Sequence, residues 1–132
     1  MKARIDHIGI VVRDMEPAQR FAREVLGLEL KLEPPPSPNR TAFLAWDGDA
    51  TRVELVDLAD QGERSRRLGD AEGRLDHVAV EVDDLEAAIA ELKARGVELT
   101  TDEPVAIRNI RTVWTRPETT GGVMWQVFSP AS

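Results

Sequence analysis

The chain of 132 residues contains no cysteine, only two histidines, and no excess of basic charge. Without cysteine there is no disulfide framework and no thiolate nucleophile, so any metal must be taken by nitrogen and oxygen ligands. Seventeen Lys and Arg against 24 Asp and Glu leave a net charge of −7 and a pI near 4.9. That balance lacks the electrostatic footprint of a nucleic-acid binder. No apolar stretch approaches the ~20 residues that span a bilayer, and no basic leader followed by an apolar run precedes the first strand pattern. These absences predict a soluble, cytoplasmic protein whose partner is a small molecule, with no nucleic acid and no membrane. The length suits one domain that buries roughly two-thirds of its unfolded surface.

What is present is a repeat. Arg4-Ile5-Asp6-His7-Ile8-Gly9-Ile10-Val11-Val12-Arg13-Asp14-Met15-Glu16 returns as Arg74-Leu75-Asp76-His77-Val78-Ala79-Val80-Glu81-Val82-Asp83-Asp84-Leu85-Glu86. Gly27-Leu28-Glu29-Leu30 returns as Gly96-Val97-Glu98-Leu99, and Arg40-Thr41-Ala42-Phe43 as Arg111-Thr112-Val113-Trp114. Arg52-Val53-Glu54-Leu55-Val56 faces Met124-Trp125-Gln126-Val127-Phe128. Self-similarity over such a span means two copies of one supersecondary unit that share a core. The expected organisation is a single domain, 1–132, of two modules at about 1–59 and 74–132, with a linker at 60–73.

Within each module the hydrophobic period switches from two to 3.6. Ile8, Ile10 and Val12 alternate with His7, Gly9 and Val11, and Val78, Val80 and Val82 with His77, Ala79 and Glu81, as on strands with one face packed. Asp14 then caps a helix with Pro17 in its first turn, the stripe Ala18, Phe21, Ala22 and Val25, and Gly27 as the stop. Asp84, the stripe Leu85, Ala88, Ile89 and Leu92, and Gly96 repeat the arrangement. Three β-like runs follow each helix, in the first module about 29–32, 41–46 and 51–58, with Asp47-Gly48-Asp49 as a turn. Each module therefore reads βαβββ. The predicted class is α+β, two tandem modules forming a curved mixed sheet around a cavity, helices on the outer face.

Two segments stand outside the repeat. Pro34-Pro35-Pro36-Ser37-Pro38 is extended and unfit for a central strand, which makes it a stiff loop or a wall of a binding mouth. Residues 60–73 carry little apolar material, and their Arg64, Arg66 and Arg67 read either as a solvated linker face or as a grip on a phosphate-bearing ligand such as a coenzyme A ester.

The only two histidines occupy equivalent positions of the two repeats, each followed two residues on, on the same face, by a small residue. If the modules pack about a pseudo-twofold axis, His7, Glu54, His77 and Gln126 converge. Two imidazole nitrogens, one carboxylate and one amide oxygen suit a divalent metal ion with positions left for water or substrate. Zn, Co, Ni, Mn and Fe all accept such a set. Thr41 with Phe43, and Thr112 with Trp114, fall on the equivalent strand face and are candidate substrate-binding residues, Phe43 and Trp114 as an apolar wall. Trp125, one residue from Gln126, is expected in the core beneath the helices. Glu81 shares the His77 face and reads as a rim residue, while Glu33 has no assignable place.

Nearly the full length resembles the vicinal oxygen chelate superfamily of glyoxalases, bleomycin-resistance proteins and dioxygenases. The segments Ile5-Asp6-His7-Ile8-Gly9-Ile10, Asp76-His77-Val78-Ala79 and Thr120-Gly121-Gly122-Val123 most resemble methylmalonyl-CoA epimerase and its relatives. The resemblance implies metal ligands at His7, Glu54, His77 and Gln126, a homodimer, and an enzyme acting on a small carbonyl compound or acyl-CoA thioester through a metal-stabilised enolate, as an epimerase-like isomerase or a glyoxalase-like lyase. The pattern departs from the family at two places. The family position of Gln126 is commonly a glutamate that also serves as base, and an amide takes no proton at neutral pH. Similar epimerases carry another glutamate where this chain has Thr41. Glu54 and Gln126 remain the candidate catalytic residues, Glu54 as the one carboxylate on the metal. The alternatives are an Fe(II) ring-cleaving dioxygenase and a non-catalytic binding protein for a small molecule such as an antibiotic.

Overall fold

The computed structural model describes residues 1–131, so the last residue of the expected second module, Ser132, lies outside the described residues. The strands are β1 (Ala3–Val12), β2 (Glu29–Leu32), β3 (Arg40–Ala45), β4 (Arg52–Asp57), β5 (Gly73–Val82), β6 (Val105–Ile107), β7 (Ile110–Trp114) and β8 (Met124–Pro130). The helices are α1 (Met15–Arg20), α2 (Gln61–Arg67) and α3 (Leu85–Ala94). Both repeats are βαβββ and the class is α+β. Two compact units divide the chain: His7–Asp76, and Met1–Asp6 with the chain from His77 onward. Among the described residues no helix is long and apolar enough to cross a membrane.

In the unit His7–Asp76 the strands run in the order β2, β3, β4, β1. β1 and β4 are parallel, because the chain crosses over through α1 between them, and the other neighbours are antiparallel. Asp14 caps α1 by accepting from the Glu16 N–H at 3.1 Å, satisfying one of the free donors of the first turn. Ile10, Val12, Met15, Ala18, Ala22, Leu28, Ala42, Leu44 and Leu55 pack as one cluster between helix and sheet. The expected stripe holds only in part, since Phe21 is 55% and Val25 69% exposed. For Val25 the cause is a π-helical turn, Phe21–Val25, which follows α1 directly and carries an i to i+5 bond from Leu26 N to the Phe21 carbonyl, 3.2 Å. A wider turn rotates each residue less than 100°, so spacing at 3.6 no longer predicts the buried line. Gly27, at φ +76°, then reverses the chain in a conformation that side chains resist.

The segment 60–73 is also different from a solvated linker. Asp60 caps α2 through the Glu63 N–H at 2.9 Å, and Leu68, only 1% exposed, packs with Val11, Val56, Leu58 and Ala71. Val11 and Val56 lie on the sheet face turned away from α1, so this second cluster covers the end of that face that they occupy. Its polar edge is equally fixed. Arg64 donates to Asp57 Oδ1 at 2.7 Å, to the Leu58 carbonyl at 2.8 Å and to the Arg13 carbonyl at 2.7 Å. Arg13 returns the bond to the carbonyls of Gly69 and Ala71, at 2.6 and 2.9 Å. Arg67 forms a two-point fork to Asp76, 3.0 and 2.7 Å. Burial pulls the Arg67 guanidinium pKa down, but hydrogen bonding and charge from Asp76, with Glu63 behind, outweigh it and hold the group above the ordinary arginine value.

In the other unit the order is β5, β8, β7, β6, again with the first pair parallel and the rest antiparallel. Asp84 caps α3 through the Ala87 N–H at 3.0 Å. The stripe Leu85, Ala88, Ile89 and Leu92 packs with Val80, Val82, Leu99, Val113 and Val127. The second copy of β2 is interrupted: Leu99 makes an isolated bridge to Thr115, and pairing resumes only at β6. Trp125, expected beneath the helices, is only half-buried, while Val127 on the same face enters the cluster.

Candidate metal centre

Each candidate ligand sits on the first or last strand of its repeat. In the unit His7–Asp76 the parallel register sets Gly9 opposite Glu54 and His7 opposite Arg52. In the other unit it sets Ala79 opposite Gln126 and His77 opposite Met124. The two repeats thus place the oxygen-bearing residue in one and the same position, across from the small residue two beyond the histidine. A small residue there leaves the side of the imidazole open.

Within the first of these sets the side chains meet. His7 Nε2 stands 3.3 Å from Glu54 Oε1, and both side chains are about nine-tenths withdrawn from water, at 7% and 10% exposure. Phe43, opposite Glu54 in the β3–β4 pairing, meets the His7 imidazole edge-on with centroids 5.3 Å apart. Arg52 holds its guanidinium carbon 4.5 Å from the Phe43 ring centroid. Thr41, opposite Val56, is half-buried. In the equivalent set His77 and Gln126 are both buried, and Trp114, opposite Gln126, is half-buried. Thr112 has no exposed surface, and its hydroxyl donates to the Val127 carbonyl at 3.2 Å. Of the four expected substrate-binding residues, Thr41 and Trp114 therefore have surface to offer, Phe43 backs His7, and Thr112 is tied into its sheet.

His7, Glu54 and His77 are buried residues able to hold a metal ion, each offering one ligand atom. Imidazole nitrogen, carboxylate oxygen and the amide oxygen that Gln126 offers are donor types that suit first-row divalent metals. The chemistry of the residues fits the group the sequence pattern implies.

Two buried carboxylates were missed from the sequence although the repeat displays them. Asp6 and Asp76 each precede a candidate histidine, and strand alternation turns them to the opposite face. Asp6 accepts from Arg4 at 2.9 Å, and Asp76 from Arg67 at 2.7 Å. Arg4 belongs to the repeated Arg-x-Asp-His string, but its counterpart Arg74 is exposed and Arg67 of α2 takes its place. Arg4 also binds Glu81 at 2.9 Å, so Glu81 is part of an ion pair, and Glu33 accepts from Gln19 at 2.7 Å. Arg66 is engaged with Glu63 at 2.6 Å. With Arg64 and Arg67 also committed, all three linker guanidiniums serve internal partners.

Comparison with known proteins decides the family. The model of the glyoxalase/bleomycin resistance protein/dioxygenase superfamily matches residues 6–114. The chain belongs to this superfamily. It is 34% identical over 112 residues to the uncharacterized protein YwbC of Bacillus subtilis, covering 83% of this chain and 84% of that one. It is 28% identical over 126 residues to the mitochondrial methylmalonyl-CoA epimerase of Mus musculus, covering 92% of this chain and 70% of the mouse chain. The crystal structure of methylmalonyl-CoA epimerase from Mycobacterium tuberculosis superposes with a TM-score of 0.86 at 27% identity, covering 97% of this superfamily member and 88% of that chain.

Proposed function

We propose that this superfamily member is a metal-dependent enzyme of the epimerase type, acting on a small carbonyl compound or acyl-CoA thioester, with His7, Glu54, His77 and Gln126 as ligands of one divalent ion. The observation that carries the reading is the duplicated register, Glu54 opposite Gly9 and Gln126 opposite Ala79. Relatives named methylmalonyl-CoA epimerase add support over more than nine-tenths of the chain, 92% for the mouse enzyme.

A bound divalent ion supplies Lewis-acid polarisation of a carbonyl oxygen, which eases removal of a proton from the neighbouring carbon. The side chains divide the remaining work. His7 and His77 contribute nitrogen donors, and the Phe43 ring packs perpendicular to the His7 ring. Gln126 contributes an amide oxygen and holds no exchangeable acid. Glu54 is the one carboxylate of the set, so Oε1 or its partner oxygen is the acceptor for the substrate proton. Thr41 and Trp114 line the approach. Return of a proton to the same carbon from the other side, drawn from solvent because the set holds no second acid, gives epimerisation, and delivery of the proton taken by Glu54 to the adjacent carbon of a hemithioacetal gives a glyoxalase-type lyase.

The test is proton exchange in heavy water, followed by NMR, with metal-loaded protein and either methylmalonyl-CoA or a glutathione hemithioacetal. Metal-dependent loss of the signal from the carbon-bound proton is expected with one of them, and its disappearance in Glu54→Gln. Exchange with neither compound removes the enzyme reading. Thr41 and Gln126, where base carboxylates are expected, favour binding without turnover as the second reading. Tight ligand binding with no exchange is its signature, and oxygen uptake by the iron-loaded protein is that of a dioxygenase.

A further inference from the structure

From cap to stop the first repeat is one residue longer than the second, Asp14 to Gly27 against Asp84 to Gly96. The π-turn takes up the extra residue, because an i to i+5 bond encloses one residue more than an i to i+4 bond. The outer side of this turn is apolar. Val25 and Leu26, the latter 45% exposed, stand one turn above the exposed Phe21. Trp46, just past the end of β3, joins them: its indole N–H donates to the Leu26 carbonyl at 2.8 Å. The indole has no other polar atom, so the half of this residue that meets solvent shows hydrocarbon. Counted from the caps, the second repeat has Glu91 in the place of Phe21 and Arg95 in the place of Val25, and these two form an ion pair at 3.4 Å. One helix is finished for water and the other is not. Phe21, Val25, Leu26 and Trp46 together present roughly 300–400 Å² of apolar surface, the size at which a patch on a single chain is often functional.

We propose that this ridge is a self-association surface, covered by the same ridge of a second copy of the chain about a twofold axis. The area argues for that occupant. Two such patches face to face remove about 600–800 Å² of apolar surface, a little over half of the ~1,200–1,400 Å² that a small stable interface buries, and a little over half is the usual apolar share. The chemistry matches itself as well. A surface whose one N–H is already bonded inside the chain asks a partner for no hydrogen bond and offers none. A twofold that lays Trp46 of one copy on Phe21 of the other also brings Arg20 toward Asp47 and Asp49, all three exposed, so that opposite charges meet at both rims.

Sedimentation equilibrium of the full chain, followed up to ~100 µM, reads the assembly. Wild type is expected to reach twice the chain mass of 14.7 kDa. The double variant Phe21→Glu, Val25→Arg writes the ion pair of the second repeat into the first, which keeps a soluble helix while removing the apolar ridge. It is expected to raise the dissociation constant by about tenfold or more, since buried aromatic anchors carry most of the affinity of an interface. Wild type that stays a single chain at the highest concentration would overturn the proposal, whatever other partner the ridge takes. So would a dimer whose dissociation constant the double variant leaves unchanged, because that dimer uses another surface, and so would an assembly larger than two chains, which a closed twofold forbids. If circular dichroism shows that the double variant does not fold, hydroxyl-radical footprinting of wild type carries the test. Phe21 and Trp46 are expected to be oxidised more slowly in the dimer than in the single chain obtained by dilution, and equal rates in the two states would overturn the proposal.

Discussion

Glu54 lies directly opposite Gly9 across the parallel pairing of β1 and β4. Gln126 stands in the same relation to Ala79. The equality is set by backbone hydrogen bonding, which slips only in whole residues, and a slip of one would turn every side chain of the strand to the other face. Two independent strand pairs that keep the same register, each with a histidine two residues before the small position, present one arrangement made twice.

The first consequence concerns metal. About one divalent ion per chain is expected in the purified protein, measured by elemental mass spectrometry, and His7→Ala and His77→Ala are each expected to lose it. Full occupancy retained in both variants would remove the paired-repeat site.

Gln126→Glu tests the missing base. A carboxylate at this buried position is expected to raise proton exchange in heavy water, by up to ~10²-fold if it works as a general base. An exchange rate equal to that of the parent chain would show that the position touches no reacting proton.

Leu68 tests the covering of the sheet face by the inter-repeat segment. The side chain is 1% exposed among Val11, Val56 and Leu58, so Leu68→Ala is expected to cost about 2–5 kcal/mol in urea unfolding. A loss below about 0.5 kcal/mol, the range of exposed positions, would return the segment to the status of a linker.

Arg67 and Arg66 form a matched pair of neighbours. Arg67→Met leaves the Asp76 carboxylate, 5% exposed, without its fork, an expected loss of about 2–3 kcal/mol. Arg66 is 70% exposed and pairs with Glu63, so Arg66→Met is expected to stay within about 0.5 kcal/mol. Equal effects of the two substitutions in the same unfolding assay would refute the distinction.

Much of this was legible in the chain. The repeat, the switch of period from two to 3.6, the caps Asp14 and Asp84 and the stops Gly27 and Gly96 are local signals, and local signals place elements. The failures were of another kind. Val25 has the right spacing for a buried stripe, but a π-turn separates it from α1, and no apolar pattern announces one. Leu68 is a lone apolar residue in a polar segment, invisible to any periodicity. Arg52 was passed over beside Glu54 because an arginine on a strand reads as solvated until its partner is known.

The sequence by itself determined the two βαβββ repeats, the face on which each histidine lies and the residues that share it, because alternation along a strand follows from the backbone alone. Only the tertiary structure decided that Glu54 stands 3.3 Å from His7, that Arg52 lies on Phe43, and that Arg64 and Arg67 answer to Asp57 and Asp76. Those partners come from different elements, and strand register and side-chain packing, rather than spacing along the chain, bring them together.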